Sequence, residues 1–222
     1  MLLKAIDLSK TFKRQGLSFY AVENVSLSLE EGSFTFIVGR SGSGKTTLLN
    51  LISALLAPTT GEIIFEDKNV LNMSDREKSY YRNNSIGFVP QGLGSLPNLS
   101  VLDNVRLPFH LYRREGDSEG RALSLLDMMG ILHLKDELPS SLSGGEEKRM
   151  LIARSLITEP KLLIADEPTA NLDFETTKEV MASIRRVHKG GVATLIVTHD
   201  MSIIEDGATV YRMKDGCLSL DS

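Results

Sequence analysis

The strongest chemical signal in the chain is a glycine-rich segment, Gly39-Arg40-Ser41-Gly42-Ser43-Gly44-Lys45-Thr46, which follows an apolar run at residues 34–38. Glycines let backbone N–H groups approach phosphate oxygens closely, and a helix beginning near Lys45 would point its positive dipole end at the same anion. The segment matches the complete phosphate loop of nucleotide hydrolases, in which the lysine neutralises the β- and γ-phosphates and the threonine hydroxyl coordinates Mg²⁺. A plain glycine-rich turn is the alternative, and the complete motif between a strand and a helix argues against it.

Two adjacent carboxylates, Asp166 and Glu167, end another apolar run at residues 162–165. Because side chains alternate along a strand, the two carboxylates diverge and can take different tasks. One can hold the Mg²⁺ shell, and the other can act as a general base towards the attacking water. Alone, the pair would fit a solvated turn equally well. Downstream of a phosphate loop, it predicts a hydrolytic site.

A third apolar run, residues 192–197, leads to His199. Strand ends of an open parallel sheet face the ligand crevice, so His199 is expected near the γ-phosphate. A single histidine at a strand end is usually structural, but this one repeats the placement of Asp166 and Glu167. The remaining histidines have no such placement and are interpreted as surface or helix residues: His110, His133 and His188.

A parallel sheet would bring these strand ends together, and the hydrophobic pattern predicts one. The runs at 34–38, 86–89, 162–165 and 192–197 have the near-continuous apolarity of strands buried on both faces. Earlier in the chain, the alternation of Val25, Leu27 and Leu29 with polar residues predicts a half-buried antiparallel strand. Residues 208–220 predict a hairpin that turns at Lys214-Asp215-Gly216.

Helical periodicity dominates between Gln91 and about Leu156, where Ala122, Leu125, Leu126 and Met129 mark one apolar face. The same period returns later, in Thr177, Val180, Met181, Ile184 and Val187. We predict an α/β fold with a P-loop NTPase parallel-sheet core, an N-terminal antiparallel β subdomain and an inserted α-helical subdomain. Residues 1–222 then form one domain, with the core at about 1–90 and 157–222 and the insertion at about 91–156.

Composition excludes several classes of protein. The chain has 222 residues, a formal net charge of -4 and no basic run, so nucleic acid is not expected as a partner. A single cysteine, Cys217, cannot form an internal disulfide and favours a reducing compartment. The N-terminus lacks the features of a signal peptide. The longest apolar stretch, residues 48–57, is far shorter than the roughly 20 residues that span a bilayer.

A further segment, Ser141-Leu142-Ser143-Gly144-Gly145-Glu146-Glu147-Lys148-Arg149, precedes a predicted helix and comes shortly before the acidic pair. With the motifs above, the whole chain resembles the ATP-binding cassette (ABC) transporter ATPases. The resemblance implies that Gln91 is the Gln-loop residue, Asp173 belongs to the Asp-loop at residues 169–173, and His199 is the switch histidine. It also implies a signature formed by Leu142, Ser143, Gly144, Gly145 and Glu146. The signature departs from the commonest form by carrying Glu146 instead of glutamine, a variant that the family tolerates.

The resemblance implies ATP and Mg²⁺ as cofactors and assigns the site residues. The catalytic set is Lys45, Gln91, Glu167 and His199, and the metal set is Thr46, Gln91 and Asp166. ATP would contact Gly39, Arg40, Ser41, Gly42, Ser43, Gly44, Lys45, Thr46 and Thr47. Adenine would stack on Phe12, with Tyr20 as the rival, and Phe12 could instead be an ordinary core residue.

The family's signature covers the γ-phosphate held by a second subunit, so the resemblance implies a dimer, with a homodimer favoured. It also implies an integral membrane permease-type partner at the cytoplasmic face of the cell membrane. Residues 96–108 are similar to the branch that serves lipoprotein release, macrolide export and cell division. The alternative is a soluble ATPase of the same family, such as one for iron–sulfur assembly. The apolar residues of 96–105 fit either the docking of a partner helix or the insertion's own core.

Overall fold

The computed structural model describes residues 1–92, 94–111 and 114–221. The chain divides into two compact units: a first unit of Met1–Arg82 with Ala193–Ser222, and a second unit of Asn83–Val192. The second unit contains the predicted insertion, residues 91–156, together with the elements that flank it.

The first part of the chain contains strands β1 (Leu3–Arg14), β2 (Leu17–Leu29) and β3 (Phe34–Val38), helix α1 (Lys45–Ile52), strands β4 (Thr60–Phe65) and β5 (Lys68–Asn69), and helix α2 (Asp75–Asn84). The second unit continues with β6 (Ile86–Val89), helices α3 (Val101–Leu111), α4 (Ser118–Met128) and α5 (Gly144–Leu156), strand β7 (Leu162–Asp166) and helix α6 (Phe174–Lys189). The chain then returns to the first unit with β8 (Ala193–Thr198), β9 (Thr209–Lys214) and β10 (Cys217–Leu220). Short 3₁₀ helices lie at Val70–Asn72, Leu132–Leu134, Pro139–Ser141 and Met201–Ile203.

An antiparallel sheet with the strand order β2-β1-β4-β5 opens the first unit. Val25, Leu27 and Leu29 are buried, and they lie opposite residues of β1 in an antiparallel register. The polar residues between them face away from this core because side chains alternate along a strand. The predicted half-buried antiparallel strand is confirmed.

A second sheet of the first unit brings together strands from opposite ends of the sequence. Strand β3 pairs in parallel with both β8 and β9, and β9 pairs antiparallel with β10. The predicted hairpin turn is confirmed: Asp215 and Gly216 both have positive φ, 49° and 82°, the conformation of a two-residue hairpin loop. Phe36 and Ile37 of β3 are fully buried in this core.

The second unit contains a parallel strand pair and most of the helices. Strand β6 pairs in parallel with β7, from Ile86 opposite Leu162 to Val89 opposite Ala165. The predicted amphipathic helices are confirmed as α4 and α6, which bury most of the two predicted faces, whereas Leu125 and Thr177 are only half-buried. Those of α4 and its end are Ala122, Leu126 and Met129, and those of α6 are Val180, Met181, Ile184 and Val187.

The segment at residues 96–105 is exposed in its first part and largely buried in its second part. Val101, Leu102 and Val105 are buried, whereas Leu96 is 40% exposed. The side chain of Asn104 is also buried; its Oδ1 accepts from the Leu96 N–H, and its Nδ2 donates to the carbonyls of Leu96, Leu99 and Ser100. Asn104 therefore holds the loop that precedes α3.

Across residues 1–92, 94–111 and 114–221, no helix combines the length and the apolarity needed to cross a membrane.

Candidate functional site

The phosphate loop connects the end of β3 to the first residue of α1. Gly44 has φ 106°, and a side chain there would overlap the carbonyl oxygen of Ala21. A side chain at Gly39 would likewise overlap the carbonyl oxygen of Met213. The two glycines are therefore required by backbone conformation and by close backbone approach.

Lys45 is buried, and its ammonium lies within the loop. Its Nζ donates to the carbonyl oxygens of Gly39, at 2.7 Å, and Arg40, at 3.0 Å. The N-terminus of α1 begins at the same residue, so a positive charge and helix N–H groups are presented together. Thr46 is exposed, as are Arg40, Ser41 and Gly42 of the loop. This arrangement suits a polyphosphate.

The C-terminal hairpin forms one wall of the phosphate-loop cleft. The cleft measures about 540 Å³ and is lined by residues 39–43 and 212–215. The Gly216 N–H donates to the carbonyl of Ser43 at 3.0 Å. The sequence predicted this hairpin but not its position. The register explains the position: Val38 lies opposite Arg212, so the residues that follow each of them must run side by side.

His199 directly follows β8, whose last residue, Thr198, lies opposite Val38 at the end of β3. The Gly39 N–H donates to the carbonyl of Thr198 at 3.3 Å. Within the first unit, the strand end that carries His199 therefore adjoins the start of the phosphate loop. His199 is exposed to solvent.

Phe12 and Tyr20, the two candidates for stacking on adenine, lie on opposite faces of the β1–β2 hairpin. Phe12 pairs with Phe19, their ring centroids 6.1 Å apart, whereas Tyr20 lies opposite Thr11. Both candidates are accessible, Phe12 at 37% and Tyr20 at 53%. Phe12 is thus not an ordinary core residue, and its role in stacking stays a prediction.

The acidic pair lies at the end of β7 in the second unit. Asp166 is 3% exposed and Glu167 is 6% exposed, so both carboxylates are shielded from bulk water. Glu167 has φ 48°, a left-handed conformation that is unfavourable for a residue with a side chain. Such strain is stored at functional sites more often than elsewhere.

The signature residues form the capped start of α5. The Ser143 Oγ accepts from the Glu146 N–H at 3.4 Å, and Glu146 Oε2 accepts from the Ser143 N–H at 2.7 Å. This reciprocal pair is a capping box, and the Ser-x-x-Glu pattern in the sequence was its signal. Hydrogen bonds from Ser143 lower the pKa of Glu146. The glutamate at the fifth signature position therefore has a structural role within this chain.

Asp173 caps the next helix. Its Oδ1 accepts from the N–H groups of Glu175 and Thr176, each at 3.0 Å, and its Oδ2 accepts from the Thr176 hydroxyl at 2.6 Å. The Thr176 hydroxyl bond is the largest cause of the lowered pKa of Asp173. A side chain at Gly145 would overlap the methyl group of Thr176. The signature and the first turn of α6 are thus packed together in the second unit.

Gln91 follows β6 and has an exposed side chain, while its backbone is held from α5. Lys148 Nζ donates to the carbonyl oxygens of Gln91, at 2.9 Å, and Pro90, at 3.1 Å. Burial lowers the pKa of Lys148, and the charges of Glu147 and Asp166 oppose that effect. No local sequence signal points to Lys148, because its partners lie 57 and 58 positions away.

A parallel α/β fold with a complete phosphate loop and buried strand-end carboxylates defines a P-loop ATPase. The profile of the family described as ABC transporter matches residues 22–170, so the chain belongs to the ABC transporter family.

Named relatives agree with this assignment. The chain is 40% identical over 215 residues to the macrolide export ATP-binding/permease protein MacB of Chlorobaculum tepidum, which covers 97% of this chain but 33% of the relative. The chain thus spans about a third of that longer protein. It is also 38% identical to the lipoprotein-releasing system ATP-binding protein LolD 2 of Rhodopirellula baltica, over 98% of this chain and 89% of the relative.

Solved structures agree on the fold. A dimeric ATP-binding cassette in a post-hydrolysis state, bound to ADP and Pi, superposes with a TM-score of 0.92 and 34% identity, over 100% of this chain and 98% of the other. A second dimeric cassette structure gives a TM-score of 0.91 at 35% identity, over 98% of this chain and 97% of the other. The predicted fold class and the predicted ATPase activity are confirmed. The roles of the individual residues remain predictions.

Proposed function

We propose that two copies of this chain close around two ATP molecules and drive a conformational change in a membrane partner. The observation that carries this proposal is the capped N-terminus of α5. There Gly144 and Gly145 offer backbone N–H groups without side chains, next to the Ser143 hydroxyl. Such a helix end is suited to an anion, and it is distinct from the N-terminus of α1 that follows the phosphate loop. Each copy then supplies the phosphate loop of one site and the signature of the other.

The proposed chemistry divides among residues of this chain. Glu167 takes a proton from the attacking water, because its carboxylate is shielded at a strand end. Lys45 neutralises phosphate charge from within the loop, and His199 contacts the γ-phosphate. Arg40, Ser41, Gly42, Ser43 and Thr47 complete the phosphate contacts.

Mg²⁺ is the proposed metal cofactor, and the donor chemistry fits it. Thr46, Gln91 and Asp166 offer a hydroxyl, an amide and a carboxylate oxygen, which are the hard ligands that Mg²⁺ prefers. When bound, the ion neutralises charge on the β- and γ-phosphate oxygens. The burial of Asp166 keeps its carboxylate from being fully hydrated.

The proposed partner is an integral membrane subunit, with this chain bound peripherally at the cytoplasmic face of the membrane. The relatives named for macrolide export and lipoprotein release support a process in that branch. ATP binding would close the pair and hydrolysis would open it, which is a ligand-driven two-state switch.

Co-purification tests this function. The tagged chain, expressed in its native host, should be recovered from a detergent extract together with an integral membrane protein. We expect a ratio of two copies of the chain to one membrane complex. The purified complex should hydrolyse ATP with Mg²⁺ and lose turnover when the metal is chelated. Recovery with soluble proteins alone would contradict the proposal.

A further inference from the structure

The glutamine segment, defined as residues 90–92 and 94–95, is held by three side chains of α5, the helix that begins at the signature. Lys148 donates to the carbonyls of Pro90 and Gln91, and Arg154 Nη1 donates to the carbonyl of Gly94 at 2.6 Å. Glu147 accepts a hydrogen bond from the Ser95 hydroxyl. These bonds reach both ends of the described part of the segment, so Pro90, Gln91, Gly94 and Ser95 are all tied to one helix.

Lys148 has the central place in this network. It is 8% exposed, and it lies two residues after Glu146, which closes the capping box of the signature. Its ammonium is also under the influence of the Asp166 carboxylate at the end of β7. Lys148 therefore connects the glutamine segment to the signature helix within the second unit, and its charge interacts with the strand-end carboxylate.

We propose that Lys148 is a positioning residue for Gln91, which ties the backbone of the glutamine segment to the signature helix so that the two move together. The proposal rests on the proposed role of Gln91 at the nucleotide. The Gln91 side chain is exposed and extends from a backbone whose carbonyl is anchored by Lys148. A displacement of about 1 Å at a positioned group can cost about 10²-fold in rate, so the anchoring matters more for turnover than for nucleotide binding.

A positioning role for Lys148 and a purely structural role predict different effects of its removal. Without the ammonium, the carbonyls of Pro90 and Gln91 lose this donor and the start of the segment can shift, although Arg154 and Glu147 still hold Gly94 and Ser95. The phosphate loop of the first unit is unchanged. Turnover should therefore fall while ATP affinity is retained. A general loss of stability would instead affect the whole second unit.

The test compares Lys148→Met, which keeps chain length without the donors, with Lys148→Arg, which keeps both charge and donors. We expect Lys148→Met to lower kcat about tenfold or more with the Kd for ATP within about twofold of wild type. Lys148→Arg should recover at least half of the wild-type kcat. Lys189→Met, an exposed lysine at the end of α6, is the control and should behave as wild type.

Amide hydrogen exchange gives a readout that does not depend on turnover. In Lys148→Met, residues 92 and 94–96 should exchange faster, whereas α6 should exchange as in wild type. Ser95→Ala, which removes the bond to Glu147, should produce a smaller change in the same direction. Unchanged kcat in Lys148→Met, an equal loss of ATP affinity, or faster exchange spread over the whole unit would overturn the proposal.

A Gln91→Ala variant distinguishes an error in the proposed role of Gln91 from an error in the proposed role of Lys148. If it turns over as fast as wild type, the proposed role of Gln91 is wrong and this inference fails with it. If Gln91→Ala is slow and Lys148→Met is not, only the role of Lys148 is wrong.

Discussion

The Gly216 N–H donates to the carbonyl of Ser43, which joins the turn of the C-terminal hairpin to the middle of the phosphate loop. On its other side, the Gly216 carbonyl accepts from the Glu23 N–H of β2. The turn therefore lies between β2 and the phosphate loop, and bonds to both. These contacts limit the conformations that the loop can take.

Gly216→Ala should weaken ATP binding through this contact. Gly216 has φ 82°, and a Cβ there would lie 3.4 Å from the carbonyl oxygen of Ala21. The left-handed conformation costs alanine about 1 kcal/mol, so the turn should shift and release the Ser43 carbonyl. We expect a several-fold rise in the Kd for ATP, measured by isothermal titration.

Gly191→Ala is the matched control, because Gly191 has φ 93° with nothing near its Cβ position. It should lose similar stability and keep its ATP affinity. Equal Kd values for the two variants would show that the hairpin does not support the loop.

The strands and the candidate residues at their ends could be predicted from the sequence, because both depend on the pattern of neighbouring residues. Near-continuous apolar runs ending in Asp166 or His199 are short-range signals, and the structure places each run in a strand. The order of strands could not be predicted in the same way. No local sequence pattern indicates that β9 lies beside β3. The wall that residues 212–215 form along the phosphate loop depends on that strand order.

Side-chain contacts over long sequence separations were also beyond prediction. The capping box of Ser143 and Glu146 spans three positions and has a sequence signal. By contrast, a lysine that follows a helix start is usually solvated, and only the fold brings Lys148 to the carbonyl of Gln91. Asn104 is similar, since an asparagine within a predicted helix does not reveal its burial.

Glu167→Gln should slow hydrolysis by roughly 10²–10⁴-fold, because the amide cannot accept the proton from water. ATP affinity should be retained, since the substitution preserves shape and leaves the phosphate loop intact. Single-turnover phosphate release measures the rate. Glu175→Gln, in the exposed first turn of α6, is the control. An unchanged rate in Glu167→Gln would remove this residue from the role of general base.

Asn104→Ala should destabilise the second unit. The substitution removes an acceptor and a donor that together serve one N–H and three carbonyls of residues 96–100. Buried groups left unsatisfied cost about 1–3 kcal/mol in the free energy of unfolding. Urea denaturation measures this loss, with Asn98→Ala, an exposed residue of the same loop, as the control. Equal stability of the two variants would contradict the role of Asn104.

Gly144→Asp should prevent ATP-driven dimerisation without altering ATP binding to the monomer. The new carboxylate would stand at the N-terminus of α5, where it would repel the γ-phosphate presented by a second copy. Gly145 is a poorer site for this test, because a side chain there would overlap the methyl group of Thr176 and disturb the monomer. At Gly144 the nearest atom to an added Cβ is the Leu172 Cδ2 at 3.1 Å, and a small rotation of that flexible side chain can relieve the contact.

In the Glu167→Gln background, light scattering with ATP should report dimers for the parent and monomers for the double variant. Gly144→Ala, which adds bulk without charge, should dimerise more readily than Gly144→Asp, and equal dimerisation of all three proteins would exclude the signature from the shared site.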